Sequence, residues 1–129
     1  MRILLDTQCW LWMALTPERL SSQGRALVEN RDHELHLSAA SAWEVAIKHA
    51  LGKLRLPEPP VTYVPSRMER LGVHSLAVDQ THALHVATLP LHHRDPFDRL
   101  LVAQSQIEGL PILTADPLFD AYDVRTIAP

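Results

Sequence analysis

Asp6, Glu44, Asp98 and Asp116 are acids that strands and helix starts could deliver to one place, where they would form an oxygen-donor site for a hard divalent cation. Asp98 anchors the pattern. In His93-Arg94-Asp95-Pro96-Phe97-Asp98-Arg99-Leu100-Leu101-Val102-Ala103-Gln104, an acidic, proline-marked turn runs into an apolar helix. Asp95 fits the N-cap and Pro96 the first helical position, which tolerates a missing N–H. Asp98 falls at N3, facing the helix dipole. Two carboxylates about 4 Å apart repel by roughly 4 kcal/mol at an effective dielectric of 20, so four of them together require a counter-charge. With oxygen donors and a single cysteine, Cys9, Mg2+ or Mn2+ is the matching cation, because either keeps several waters and takes phosphate oxygens as remaining ligands. Such a site generates a hydroxide-like nucleophile and neutralises the charge that builds on a phosphodiester during in-line displacement. Phosphodiester hydrolysis is the chemistry this pattern predicts.

The surrounding elements must place those acids. Arg2-Ile3-Leu4-Leu5-Asp6 reads as a buried strand of a parallel sheet with Asp6 at its carboxyl end, and Thr7 is expected to cap a helix over 8–15. A second helix, from 21 or 22 to 30, is expected to turn Ala26 and Leu27 inward, and 34–38 alternates as a strand does. Residues 39–51 form the clearest helix, with Trp43, Ala46, Ile47 and Ala50 as its predicted inward stripe and Ser41, Glu44 and Lys48 on a different face. A proline-rich connector over 52–60 leads to a helix over 61–71, in which Pro65 marks a late first turn or a break. A strand over 72–78 follows, then a helix capped by Asp79 and a histidine-bearing loop over 89–95. The helix from Pro96 to about Glu108 ends at Gly109, 111–114 is a fourth strand, and 123–127 adds a last edge. Strands alternating with helices predict an α/β fold with a mostly parallel sheet of four to five strands. Open parallel sheets bind ligands at the carboxyl ends of their strands, so all four acids can reach one edge.

Composition sets the bounds. With 129 residues, 47% of them hydrophobic and 21% charged, one compact domain over 1–129 is expected. No apolar run reaches the roughly 18 residues of a membrane span, and the N-terminus lacks the pattern of a signal peptide, so the expected location is cytoplasmic. The net charge of −3 gives no global signal for nucleic acid. Seven of the twelve Lys/Arg and six of the eight histidines nevertheless fall between 48 and 99, a local basic bias beside the Asp98 helix. Cys9, among Trp10, Leu11 and Trp12, reads as a small buried hydrophobe.

Four blocks, "RILLDTQCWLW", "SAASAWEVAIKHALGKL", "HRDPFDRLLVAQ" and "ILTADPLFDAY", each contain one of the four acids named above and follow in order along nearly the whole chain. Together they resemble the PIN-domain ribonucleases, in particular the VapC-type toxins of toxin–antitoxin pairs. The resemblance implies a three-layer α/β/α domain, a Mg2+/Mn2+ site, endonucleolytic cleavage of RNA, homodimerisation and inhibition by a small cognate antitoxin. It places the family's acids on Asp6, Glu44, Asp98 and Asp116, with Thr114 as the supporting hydroxyl and Thr7 as an indirect supporter. Lys48, His93, Arg94 and Arg99 are the candidate RNA contacts, Arg99 alternatively lying on a structural surface. His33, His36, His49, His74, His82 and His85 read as core or surface residues, and the tryptophans as packing or an antitoxin groove. Two alternatives stay open: a PIN nuclease with an RNA-processing role outside toxin–antitoxin systems, and a receiver-like Mg2+-binding signalling module. The second requires a late lysine, and the last lysine here is Lys53.

Overall fold

The computed structural model describes residues 1–129 and places a five-stranded, all-parallel sheet at its centre. The strands are β1 (Arg2–Leu5), β2 (Glu34–Ser38), β3 (Val73–Leu76), β4 (Ile112–Leu113) and β5 (Thr126–Ile127), in the order β3-β2-β1-β4-β5. That order differs from the 2-1-3-4-5 arrangement of receiver-like sheets, which sets the signalling alternative aside. The helices are α1 (Thr7–Leu15), α2 (Ser22–Glu29), α3 (Ala39–Ala50), α4 (Pro60–Leu71), α5 (Gln80–His85) and α6 (Pro96–Glu108), with short 3-10 turns between some of them.

The apolar run of β1 is explained by its neighbours. Side chains alternate across a strand, so Ile3 and Leu5 join one core with residues of α1, α3 and α4, while Leu4 joins a second with Leu101, Val102 and Ala103 of α6. Leu113 and Ile112 of β4 divide in the same way. Both faces of the sheet are therefore covered, giving three layers.

Local signals set the ends of the elements. Asp95 caps α6, its Oδ1 accepting from Phe97 N at 2.8 Å and Asp98 N at 3.4 Å, and Gly109 closes the helix at φ 68 in the left-handed conformation. Helix α4 runs through Pro65 without a break.

Three expectations are corrected. On α2, Ala26 is exposed and Leu27 with Val28 packs on the core instead. Thr7 is the first residue of α1, and Asp6 takes the N-cap position. On α3 the buried face is Ala40, Ser41, Glu44 and Val45, whereas Ala46 and Ala50 are exposed and Trp43 is 61% exposed. Trp43 meets only the edge of Phe97, with ring centroids 5.2 Å apart. The helix is rotated from the hydrophobic expectation because its N-terminal half packs its small and acidic side chains toward the sheet edge.

Candidate active site

The chain crosses over beside β1, with the β1–α1–β2 connection on one side and β4 on the other, so the carboxyl ends of β1 and β4 flank a switch point. Asp6 follows β1 at the N-cap position of α1, its carboxylate near the Gln8 backbone N–H without forming a regular capping bond. Its carboxylate is therefore available to the cleft, where Thr114 Oγ1 donates to Asp6 Oδ2 at 2.7 Å. The same hydroxyl accepts from Asp116 N at 3.0 Å, so one threonine couples two of the acids across the switch point. Replacing it tests that coupling: Thr114→Val is expected to cost about 1–3 kcal/mol in urea unfolding of the metal-free protein, because it removes one donor and strands an N–H. Thr114→Ser should retain most of the stability.

Thr7 supports at one remove. Its hydroxyl donates to Ser41 Oγ at 2.8 Å, tying α1 to the α3 face that carries Glu44. Glu44 is 5% exposed. Its Oε2 accepts from Lys48 Nζ at 2.7 Å, while its Oε1 is buried with no hydrogen-bond partner. An unpartnered carboxylate oxygen is costly in the interior, and this one, facing the other acids, could serve as a ligand to a cation. The pairing raises the Lys48 ammonium above its ordinary value, chiefly through the Glu44 hydrogen bond.

Asp98 completes the group. Because Asp95 performs the capping, the Asp98 side chain is released to the cleft. Its carboxyl is pushed up to about 8, first by burial and then by the negative charges of Asp6, Asp95, Glu44 and Asp116. Asp6 is raised as well, mainly by burial; the Thr114 hydroxyl opposes this, while Glu44 and Asp116 add to it. All five carboxylates line one cleft of about 340 Å3 on which Lys48 is the single cation. Metal-free, the cleft is over-supplied with negative charge, and hard oxygen donors of this kind fit Mg2+ or Mn2+. Cys9 takes no part: fully buried, its thiol is pushed up to about 12 by burial and by Asp6.

The candidate RNA contacts separate. Lys48 stands on the cleft wall beside Glu44, and Arg94 is exposed, lining with Lys53 and Phe97 a neighbouring groove that shares Glu44, Lys48 and Asp95 with the cleft. The Arg99 guanidinium is used inside the chain, donating to the carbonyls of Pro90, Val86 and Leu89 and to Tyr122 Oη. It braces the 89–95 loop, which is the structural alternative expected for it. His93 does not face outward for phosphate either: its Nε2 lies 2.9 Å from Asp98 Oδ2 and 3.2 Å from Asp116 Oδ2. Sequence spacing carried no signal for that contact beyond the position of His93 two residues before the cap.

Comparison with known proteins agrees with this architecture. A model of the PIN domain matches residues 3–125. Ribonuclease VapC16 of Mycobacterium tuberculosis (strain ATCC 25618 / H37Rv) is 50% identical over 64 residues, and the matched stretch spans 50% of this chain and 45% of that relative. Among solved structures, VapBC2 from Rickettsia felis, bound to a DNA fragment from their promoter, superposes with a TM-score of 0.74 at 12% identity over 98% of both chains. FitAcB from Neisseria gonorrhoeae does so with a TM-score of 0.65 at 23% identity over 99% of this chain and 97% of that one. At these identities the structural likeness speaks for the fold, whereas the family match runs across all four acidic positions. The chain belongs to the PIN-domain family.

Proposed function

We propose that this protein is a Mg2+- or Mn2+-dependent endoribonuclease acting as the toxin of a toxin–antitoxin pair, which blocks translation and growth until a small antitoxin binds it. The convergence of Asp6, Glu44, Asp98 and Asp116 on one cleft, with Glu44 Oε1 buried and unpartnered, carries the reading. The similarity to Ribonuclease VapC16 supports RNA as the substrate. Those four carboxylates would hold the cation, with Thr114 orienting Asp6 and Asp116 and with Lys48 orienting Glu44. When bound, the cation supplies a water acidic enough to attack near neutral pH and offsets the charge gathering on the scissile phosphate.

Asp6 and Glu44 are the deeper pair; Asp98 and Asp116, with side chains 14% and 32% exposed, stand nearer the substrate side. Lys48 and Arg94 are the cations best placed to meet RNA phosphates, because their groove opens onto the carboxylates. Residues 1–129 act as one PIN-like domain, with cytoplasmic RNA as the substrate. Homodimerisation belongs to the same reading: exposed Trp43, Leu51 and Val61 offer apolar surface to a partner.

Purified protein should cut RNA with Mg2+ or Mn2+ and lose the activity in EDTA; full activity in EDTA would remove the metal from the proposal. Induction without antitoxin should arrest growth for the parent and not for Asp6→Asn. Equal growth of both would leave the RNA-processing role in place of the toxin.

A further inference from the structure

The 89–95 loop, braced by Arg99, is also tied to the body of the protein by the Tyr122 phenol. Tyr122 Oη accepts from His93 N at 2.8 Å and His92 N at 3.1 Å, and the His93 ring lies edge-on to Phe119 with centroids 6.0 Å apart. The His93 side chain is 12% exposed. Its Nδ1 accepts the backbone N–H of Asp95 at 3.1 Å, which assigns the ring proton of the neutral imidazole to Nε2. That Nε2–H bonds Asp116 Oδ2 at 3.2 Å, and Asp98 Oδ2 lies 2.9 Å from the same nitrogen as a close polar contact, so the three atoms lie within 4.8 Å of one another. Asp116 is fixed from its other side as well, its Oδ1 accepting Leu118 N at 2.9 Å.

A ring nitrogen that carries a proton has no lone pair for a metal. His82 shows the same donor pattern: Asp79 N donates to its Nδ1, and its Nε2 bonds Glu108 at 2.8 Å, joining α5 to α6. What sets His93 apart is that both carboxylates it contacts belong to the proposed cation-holding set. Carboxylates this close repel when both are ionised, and a ring that bonds one and touches the other fixes their separation.

We infer that His93 is a positioning residue that holds Asp116 through its Nε2–H and sets the separation of Asp98 from it by close contact, and is not itself a ligand, an inference that rests on the metal-dependent reading above. Groups that orient metal ligands typically contribute 10- to 100-fold to affinity. Calorimetric titration of Mn2+ into the full chain should therefore show binding weakened about 10- to 100-fold in His93→Ala. Cleavage at saturating Mn2+ should stay within about threefold of the parent, which places the loss in the metal requirement.

His93→Gln, which offers an amide N–H at similar reach, should restore Mn2+ affinity to within about threefold, and His93→Asn, which is too short, should not. Paramagnetic resonance of Mn2+ bound to the parent should show no nitrogen coupling from His93. Parent-like Mn2+ affinity in His93→Ala, or a nitrogen coupling that His93→Gln abolishes, would overturn the inference while leaving the nuclease reading intact. Failure of the parent to bind Mn2+ at all would overturn both. If His93→Ala does not fold, the contrast between the Gln and Asn variants decides the matter.

Discussion

Asp98→Asn is expected to lower RNA cleavage on the order of 10³-fold while leaving the fold at least as stable as the parent. On the proposed metal-dependent reading, losing this carboxylate would remove several kcal/mol of charge stabilisation where the phosphate reacts, and each 1.36 kcal/mol is a factor of ten in rate. Stability should not suffer, because Asp98 is a half-buried acid set among Asp6, Asp95, Glu44 and Asp116 and is not the residue that caps α6. Asp95→Asn is the matched control. Asparagine caps a helix about as well as aspartate, so cleavage should remain within about threefold and α6 should stay formed. Single-turnover cleavage of a labelled RNA and circular dichroism of both variants check this. The opposite ranking would transfer the chemical role from Asp98 to Asp95.

In the metal-free protein, stability should fall as pH rises from about 4 to about 8, against the usual behaviour of a paired carboxylate. The folded Asp98 carboxyl is pushed up to about 8 by burial first and by its acidic neighbours second, whereas its ordinary value is 3.8. Between those values the folded chain holds a proton that the unfolded chain has released, so the native state binds more protons and the unfolding free energy decreases with pH. The contribution is fully present below 3.8 and lost above about 8, and Asp6 shifts in the same direction. Its size should be about a few kcal/mol across the window. Urea unfolding in EDTA should give a lower midpoint at pH 8 than at pH 5, and saturating Mn2+ should reverse or flatten the difference, since a bound cation favours the ionised carboxylates. Asp98→Asn should remove most of the slope. A midpoint in EDTA that climbs with pH would show that the cleft is not an over-charged one.

Much of this site was legible because its signals are local. The Asp95-Pro96 start and Gly109 end of α6 follow from one side chain's reach, one ring's fixed φ and one residue's tolerance of φ 68. The runs Arg2–Leu5 and Ile112–Leu113 declare parallel strands by being apolar on both faces. The rotation of α3 was not legible. Apolar periodicity assigns its inward face to Trp43, Ala46, Ile47 and Ala50, yet Trp43 is 61% exposed and Glu44 is 5% exposed, because a helix bordering a polar cleft can bury an acid that ordinary packing would expel. Residue type alone makes Thr7 a cap, but its hydroxyl reaches Ser41, 34 positions away, and Asp6 takes the N-cap position.

The amino-acid order by itself determined the element types, the α/β class and the identity of four acids in four family blocks. Tertiary structure alone decided which oxygens meet. The Thr114–Asp6 bond spans 108 positions and the His93–Asp116 contact spans 23. Bonds of that kind depend on how strands β1 and β4 lie side by side and on which way each ring and hydroxyl is turned. Spacing along a chain fixes the first only through the whole topology, and it carries no information about the second.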